Sequence, residues 1–329
     1  MLRQQTNIHQ LMRYEMERVS ARVTEAAQVR YADVSPFLEE IVQAGGKRLR
    51  PLLLLLSARA YQYEETVETL ITAAAGVELL HTASLVHDDT VDRAAIRRGK
   101  PTLNSVFDSG AVILIGDYLF ARSAMLAAAT GSPRVVSIFA STLGDICDGQ
   151  LMEMIEATDL DQTPQQYFDR IYGKTASLFA GAVEMGTVIS GAAEEHIQAL
   201  RSFGGDIGLA FQIVDDVLDL TGESHDLGKP AANDLRQGTI TLPVIHYLAS
   251  NPTGTSGSQT IASIVSGTAE EAEITAAIAR IRDSGCVDLA LTEAERIVQR
   301  AKNRLEVLPD GQARDGLREF ADLAIHRAS

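Results

Sequence analysis

Two short strings hold more negative charge than an apolar helix readily tolerates. His87-Asp88-Asp89-Thr90-Val91-Asp92 and Gln212-Ile213-Val214-Asp215-Asp216-Val217-Leu218-Asp219 both contain Asp-Asp-x-x-Asp, and each closes a long apolar segment. On a helix the first and last aspartates of a set lie about one turn apart, so their carboxylates project side by side, with the middle one rotated but within reach. Three carboxylates in one turn repel one another, and a nearby core raises the cost. A hard divalent cation removes that cost. Mg²⁺ suits these donors because it takes one or two carboxylates, keeps several waters and shares substrate phosphates. One set alone reads equally well as a solvated acidic helix end. Two sets, 127 residues apart and each behind an apolar helix, favour a cluster of two or three Mg²⁺ ions. Such a cluster would hold a diphosphate and stabilise it as a leaving group.

The cations cluster to match. Gly45-Gly46-Lys47-Arg48-Leu49-Arg50-Pro51 puts three of them beside a helix start, and Arg97-Arg98-Gly99-Lys100-Pro101 follows closely on the first aspartate set. Each cluster alone could be a solvated loop. Guanidinium forks nevertheless suit diphosphate oxygens, and two clusters could hold a second anion that has no metal of its own. His81, seven residues before Asp88, shares nearly the same helical face and reads as a core histidine or as a phosphate donor. His87 reads as structural. Lys174, Thr175 and Gln212 are polar interruptions in apolar helices, of a kind more often satisfied inside a core than catalytic. Asp145, Asp148 and Glu153 are acidic neighbours to which the sequence alone gives no role.

The elements that must carry these residues are helices. Apolar periodicity spans the windows 65–92, 111–129, 134–157, 164–191 and 194–221, with breakers between them such as Gly131 to Pro133 and Thr163-Pro164. The pattern predicts one large all-α domain over residues 1–329, with the most apolar helices at the centre of a bundle. Its core motifs fall in 37–250, a flexible Gly/Ser/Thr loop in 251–260, and two or three terminal helices in 261–329. Pro51 fits the first turn of the helix bearing Leu52 to Leu56. The formal charge of −15 and a pI near 4.9 argue against nucleic acid or an anionic membrane surface as the main partner. Two cysteines, Cys147 and Cys286, form no disulfide framework or zinc knuckle, and no apolar signal core opens the chain. Leu52 to Leu56, the longest strongly apolar run, is far short of a membrane span of about 18 residues. A cytoplasmic protein without a stable membrane anchor is expected.

GGKRLRP, HTASLVHDDTVDRAAIRRGKPT, GDYLFA, KTASLF, FQIVDDVLDLTG and LGKPAANDLRQGTITLP occur in that order. Together they make the sequence resemble the trans-isoprenyl diphosphate synthases, the polyprenyl synthetase family. The resemblance implies an all-α homodimer of the isoprenoid synthase fold, a helical bundle around a central catalytic cavity in each subunit. It also implies a Mg²⁺-dependent head-to-tail condensation of an allylic diphosphate (farnesyl or geranylgeranyl) with isopentenyl diphosphate. By position, Lys47, Arg50, His81 and Arg98 would bind isopentenyl diphosphate. Asp88, Asp92, Asp215 and Asp219 would hold the metals, with Asp89 and Asp216 in support. Arg97, Lys174 and Lys229 would meet the allylic diphosphate, while the Thr175 hydroxyl and the Gln212 carbonyl would stabilise an allylic cation. One departure stands out. Thr239 occupies a position where many relatives carry Lys, so one cationic contact is missing or Arg236 replaces it.

The same resemblance bears on product length. Bulky aromatics about five positions before the first aspartate stop the chain early in the family; here that position is Ala83, followed by Ser84, with Leu80 and Val77 further back. Products of C30–C50 are expected, with geranylgeranyl (C20) synthesis as the competing outcome and Met125 as a candidate floor from a neighbouring helix. An intact second aspartate set argues against a terpene cyclase. Different aspartate spacing would mark a head-to-head synthase. Complete aspartate sets also argue against a non-catalytic subunit of a heteromeric synthase, although a partner requirement stays open.

Overall fold

The structure is a computed structural model and describes residues 8–43, 46–97, 99–222 and 232–325. Its helices, in chain order, are α1 (Ile8–Leu11), α2 (Arg13–Ala26), α3 (Ser35–Gln43), α4 (Leu49–Ala58), α5 (Tyr63–Val91), α6 (Ser109–Ala129), α7 (Pro133–Glu156), α8 (Pro164–Ile171), α9 (Ser177–Ile189) and α10 (Glu194–Thr221). They continue with α11 (Asn233–Arg236), α12 (Leu242–Ser250), α13 (Ser256–Val265), α14 (Glu271–Asp283), α15 (Cys286–Arg304) and α16 (Gln312–Ile325). Strand pairing among the described residues is confined to one small hairpin, β1 (Ile96–Arg97) against β2 (Lys100–Pro101), antiparallel with Ile96 opposite Pro101. The protein is all-α, as its periodicity predicts.

Local chemistry explains the boundaries. Asp108 caps α6 by accepting from the Ala111 amide at 3.1 Å. Thr163, Pro164 and Gln166 build a capping box at the start of α8. Thr255 likewise accepts from the Ser258 amide at 3.3 Å, so α13 begins at Ser256. The loop expected over 251–260 therefore ends at Thr255. Its Gly/Ser/Thr composition hides an N-cap, and four helices, not two or three, follow residue 250 among the described residues.

The described helices gather into two compact units. One falls within Met1–Leu143, Leu178–Gly204 and Arg304–Phe320; the other falls within Gly144–Ser177, Gly205–Asn303 and Ala321–Ser329. In the first unit α5 is the central helix, buried without interruption from Leu70 to Leu80 and packed chiefly on α6. Small side chains allow the approach: a Cβ on Gly76 would lie 3.3 Å from the Leu126 Cβ and 3.4 Å from the Ser123 carbonyl. Gly186 of α9 faces α4 still more tightly, where a Cβ would lie 2.4 Å from the Leu54 carbonyl oxygen.

Helices α5 and α6 are each long and apolar enough to cross a membrane by length and composition, which a search for unbroken leucine runs overlooks. Most of the apolar window of α5 is buried inside its own unit, against 33% of that of α6. Leu114, Ala121, Met125 and Ala128 form an exposed stripe along α6, with Leu114 68% and Met125 59% exposed. Met125 is thus no floor for a cavity in this chain. Ser123, Leu126 and Ala127 are the α6 residues turned toward Gly76.

Two glycines separate packing from propensity. Gly186→Ala should destabilise by about 1–3 kcal/mol through overpacking against rigid backbone. Gly144→Ala, where an added Cβ meets nothing within 4 Å, should stabilise by up to about 1 kcal/mol. Urea unfolding midpoints moving in opposite directions at an unchanged slope would confirm this.

Candidate active site

The first aspartate set ends α5. Asp92 is the C-cap residue, its amide bonded to the Asp88 carbonyl at 2.8 Å, and Arg93 then takes a left-handed φ of 50° that stops the helix. Asp88 is half-buried and Asp92 exposed, but Asp89 turns inward. The Nε of Arg97 donates to Asp89 Oδ1 at 2.7 Å. Burial raises the Asp89 pKa above the ordinary carboxylate value, and Arg97 opposes that rise. The hairpin brings Arg97 to this position: Thr102 closes its base by donating from Oγ1 to the Ala94 carbonyl at 2.5 Å and from its amide to the Ala95 carbonyl at 3.0 Å.

The basic string before α4 divides by role. Lys47 is exposed, whereas the Arg50 guanidinium lies 4.5 Å from the centre of the Phe179 ring. Arg48 is spent on structure. It is the N-cap of α4 with a left-handed φ of 46°, and its guanidinium reaches Ser20 Oγ and, at 3.1 Å, the Val42 carbonyl. His81 is half-buried, and its carbonyl accepts from Ser84 Oγ at 2.8 Å. His87, read as structural, meets the Ile113 carbonyl at 3.1 Å and packs edge-on against Phe120. Val77, Leu80 and Ala83 are buried and Ser84 half-buried on the helix that leads to Asp88.

The second set lies in the other unit. Asp215 is exposed, Asp216 is buried and Asp219 is buried. The Asp234 amide donates to Asp219 Oδ2 at 3.0 Å, and the Ala232 amide donates to the Asp219 carbonyl at 2.7 Å. Asp216 accepts from Gln212 Nε2 at 2.7 Å and from the Tyr167 hydroxyl at 2.7 Å. Burial and the neighbouring Asp234 push the Asp216 pKa well above the usual carboxylate range, while those two donors act against the rise. Thr175 Oγ1 donates to Gln212 Oε1 at 2.8 Å. Three residues expected near the reacting centre, Thr175, Gln212 and Asp216, therefore form one connected chain. Tyr167 extends it and was missed by sequence reasoning; its only signal is a position seven residues before Lys174.

Lys174 and Thr175 sit in a π-helical turn, Tyr172–Ala176, between α8 and α9. Such turns interrupt helices most often at functional sites. Here the cause is a glycine contact. A Cβ on Gly149 of α7 would lie 2.2 Å from the Lys174 amide nitrogen, and one on Gly173 would lie 2.7 Å from the Asp145 carbonyl. One turn along α7, Glu153 receives the Lys174 ammonium, which gives that acidic neighbour a role. Arg236 is held in a two-pronged pair by Glu271 at 2.8 and 2.6 Å, so in this structure it is not turned to replace the Lys missing at Thr239. Arg98 and Lys229 lie outside the described residues.

The carboxylates fit a hard cation in kind. In each set the middle aspartate is held inward by protein donors, and the first one stays accessible. Among the described residues no three His, Cys, Asp or Glu side chains converge on one point.

Comparison with known proteins agrees with this geometry. The family model described as polyprenyl synthetase matches residues 32–281. The heptaprenyl diphosphate synthase component 2 of Geobacillus stearothermophilus is 36% identical over 93% of this chain and 94% of its own length. The octaprenyl diphosphate synthase of Escherichia coli is 32% identical over 97% and 98%. Among solved structures, a decaprenyl diphosphate synthase from Rhodobacter capsulatus superposes with a TM-score of 0.91 at 35% identity, covering 99% of this chain and 100% of that one. A polyprenyl synthase from Caulobacter crescentus, complexed with calcium and isoprenyl diphosphate, also gives 0.91 at 34% identity, covering 98% and 97%. The chain belongs to the polyprenyl synthetase family. It is a prenyltransferase with the all-α isoprenoid synthase fold, of a family that joins allylic and isopentenyl diphosphates with the aid of a divalent metal.

Gly149→Ala should displace the π turn and with it Lys174 and Thr175. Turnover should fall by about 100-fold, the cost of a misplacement of about 1 Å, with the far-UV circular dichroism unchanged.

Proposed function

We propose that this enzyme makes all-trans polyprenyl diphosphates of C30–C50 by head-to-tail addition of isopentenyl diphosphate to farnesyl or geranylgeranyl diphosphate. The reading is carried by one observation: two Asp-Asp-x-x-Asp sets, each with its middle carboxylate committed to protein donors, in a chain of the polyprenyl synthetase family. Asp88, Asp92, Asp215 and Asp219 are the metal ligands, for two or three Mg²⁺ ions. When bound, these ions draw charge from the diphosphate and make it a better leaving group. Arg97, Lys174 and Lys229 bind the allylic diphosphate; Lys47, Arg50, His81 and Arg98 bind isopentenyl diphosphate.

The allylic C–O bond breaks with its electron pair leaving on diphosphate. Thr175 Oγ1 and the Gln212 side chain face the resulting cation with negative dipole ends. The double bond of isopentenyl diphosphate attacks the cation, and the product loses a proton to the departing diphosphate. Small or aliphatic residues along α5 (Ala83, Ser84, Leu80 and Val77) leave room for a long chain. The names of relatives, heptaprenyl, octaprenyl and decaprenyl diphosphate synthases, support that length.

The apolar stripe of α6 supports a homodimer, because an exposed face of this kind marks a protein–protein contact. The low pI, together with the absence of either cysteine from any disulfide among the described residues, supports a cytoplasmic location.

The purified chain, given farnesyl diphosphate, labelled isopentenyl diphosphate and Mg²⁺, should yield C30–C50 products without a second protein. A dominant C15 or C20 product overturns the length assignment, and turnover only on adding another chain overturns the homomeric one. Asp88→Ala and Asp215→Ala should each abolish turnover while leaving the helical signal intact. For the dimer, Leu114→Glu combined with Met125→Glu should halve the mass measured by light scattering.

A further inference from the structure

Tyr167 lies on α8 with 0% of its surface exposed. Its ring is seated edge-on against Phe168 at 5.5 Å, and the Arg170 guanidinium lies 5.6 Å from its centre. Arg170 is itself fixed, donating at 2.6 Å to Gln162 Oε1 and at 2.6 Å to the Ile240 carbonyl. A hydroxyl held this rigidly donates to Asp216 Oδ2 at 2.7 Å.

The polarity of the chain beyond Asp216 follows from elementary donor chemistry. Both Asp216 oxygens are met by donors, Oδ2 by the Tyr167 hydroxyl and Oδ1 by the Gln212 NH₂ 2.7 Å away. That leaves Gln212 Oε1 facing Thr175, which can meet it only by donating its proton, at 2.8 Å. The single hydroxyl proton of Thr175 is then used, and lone pairs are all that Oγ1 has left to offer. Without Asp216 in place, the Gln212 amide could rotate and the threonine proton could point outward.

We propose that Tyr167 is a positioning residue for prenyl transfer. By fixing Asp216 it sets the direction of the Asp216–Gln212–Thr175 chain, so that Thr175 Oγ1 presents lone pairs, and not a proton, to the allylic cation. Asp216 on this account anchors an electrostatic relay and is not a metal ligand. The inference rests on the reading above that Thr175 faces the cation.

Kinetics of Tyr167→Phe, Thr175→Val and the double variant test it, with farnesyl diphosphate and isopentenyl diphosphate as substrates. Tyr167→Phe should lower kcat by about 10- to 100-fold, as loss of an outer partner does at other charged sites. KM for both diphosphates and the Mg²⁺ concentration for half activity should stay within about twofold. In the Thr175→Val background Tyr167→Phe should cost clearly less than in the wild-type enzyme, because it acts chiefly through Thr175. An unchanged kcat, a shifted Mg²⁺ requirement or additive losses would overturn the proposal. A Thr175→Val enzyme with wild-type kcat would instead remove the reading on which it rests. Should Tyr167→Phe fail to fold, Gln212→Met cuts the same chain one link later. Because Gln212 also faces the cation, its kcat loss should be at least that of Thr175→Val, and the double variant should lose less than the product of the two; full additivity there is equally fatal.

Discussion

An ionised carboxylate on an apolar helix is the costliest group in this protein, and much of the local architecture follows from where the charge is put. Both acidic sets occupy the C-terminal turns of long helices, where the helix dipole disfavours negative charge and neither last turn carries a basic residue. Each inward aspartate therefore has its own local remedy. Asp89 has Arg97, delivered by a hairpin whose base Thr102 closes. Asp216 has Tyr167 and Gln212, and Asp219 has the Asp234 amide. Asp92 and Asp215 lie exposed and Asp88 is half-buried. Local rules broken at two corresponding helix ends mark sites kept for chemistry rather than for stability.

Much of this was legible in the sequence. The windows 111–129 and 194–221 correspond to α6 and α10 almost residue for residue, because Gly, Pro and capping side chains punctuate them. What stayed hidden depends on contacts between distant segments. The Tyr172–Ala176 turn reads as ordinary helix, since its widened geometry is imposed by Gly149 from another helix. Lys47, Arg48 and Arg50 look equivalent on spacing; only the left-handed backbone at Arg48 separates the structural cation from its neighbours. Tyr167 carries no sequence signal of its role, because its residue type says nothing about the direction of its hydroxyl. Met125 failed as a floor for a related reason, since periodicity places it on α6 without saying which face of α6 meets α5.

The cations expected to grip diphosphate are not held in reserve as bare charges. Arg97 rests on Asp89, Lys174 on Glu153 and Arg236 on Glu271. A half-buried cation without a partner would be expensive, and here a carboxylate partners each of them. On the proposed function, binding a diphosphate at Arg97 or Lys174 would exchange one anion for another. Its net gain comes from the greater charge and oxygen count of the diphosphate, not from neutralising an isolated cation. Net charge of −15 and affinity for anions are therefore compatible. The acids hold the cations in place, and a divalent metal lets the same acids keep the anion they would otherwise repel.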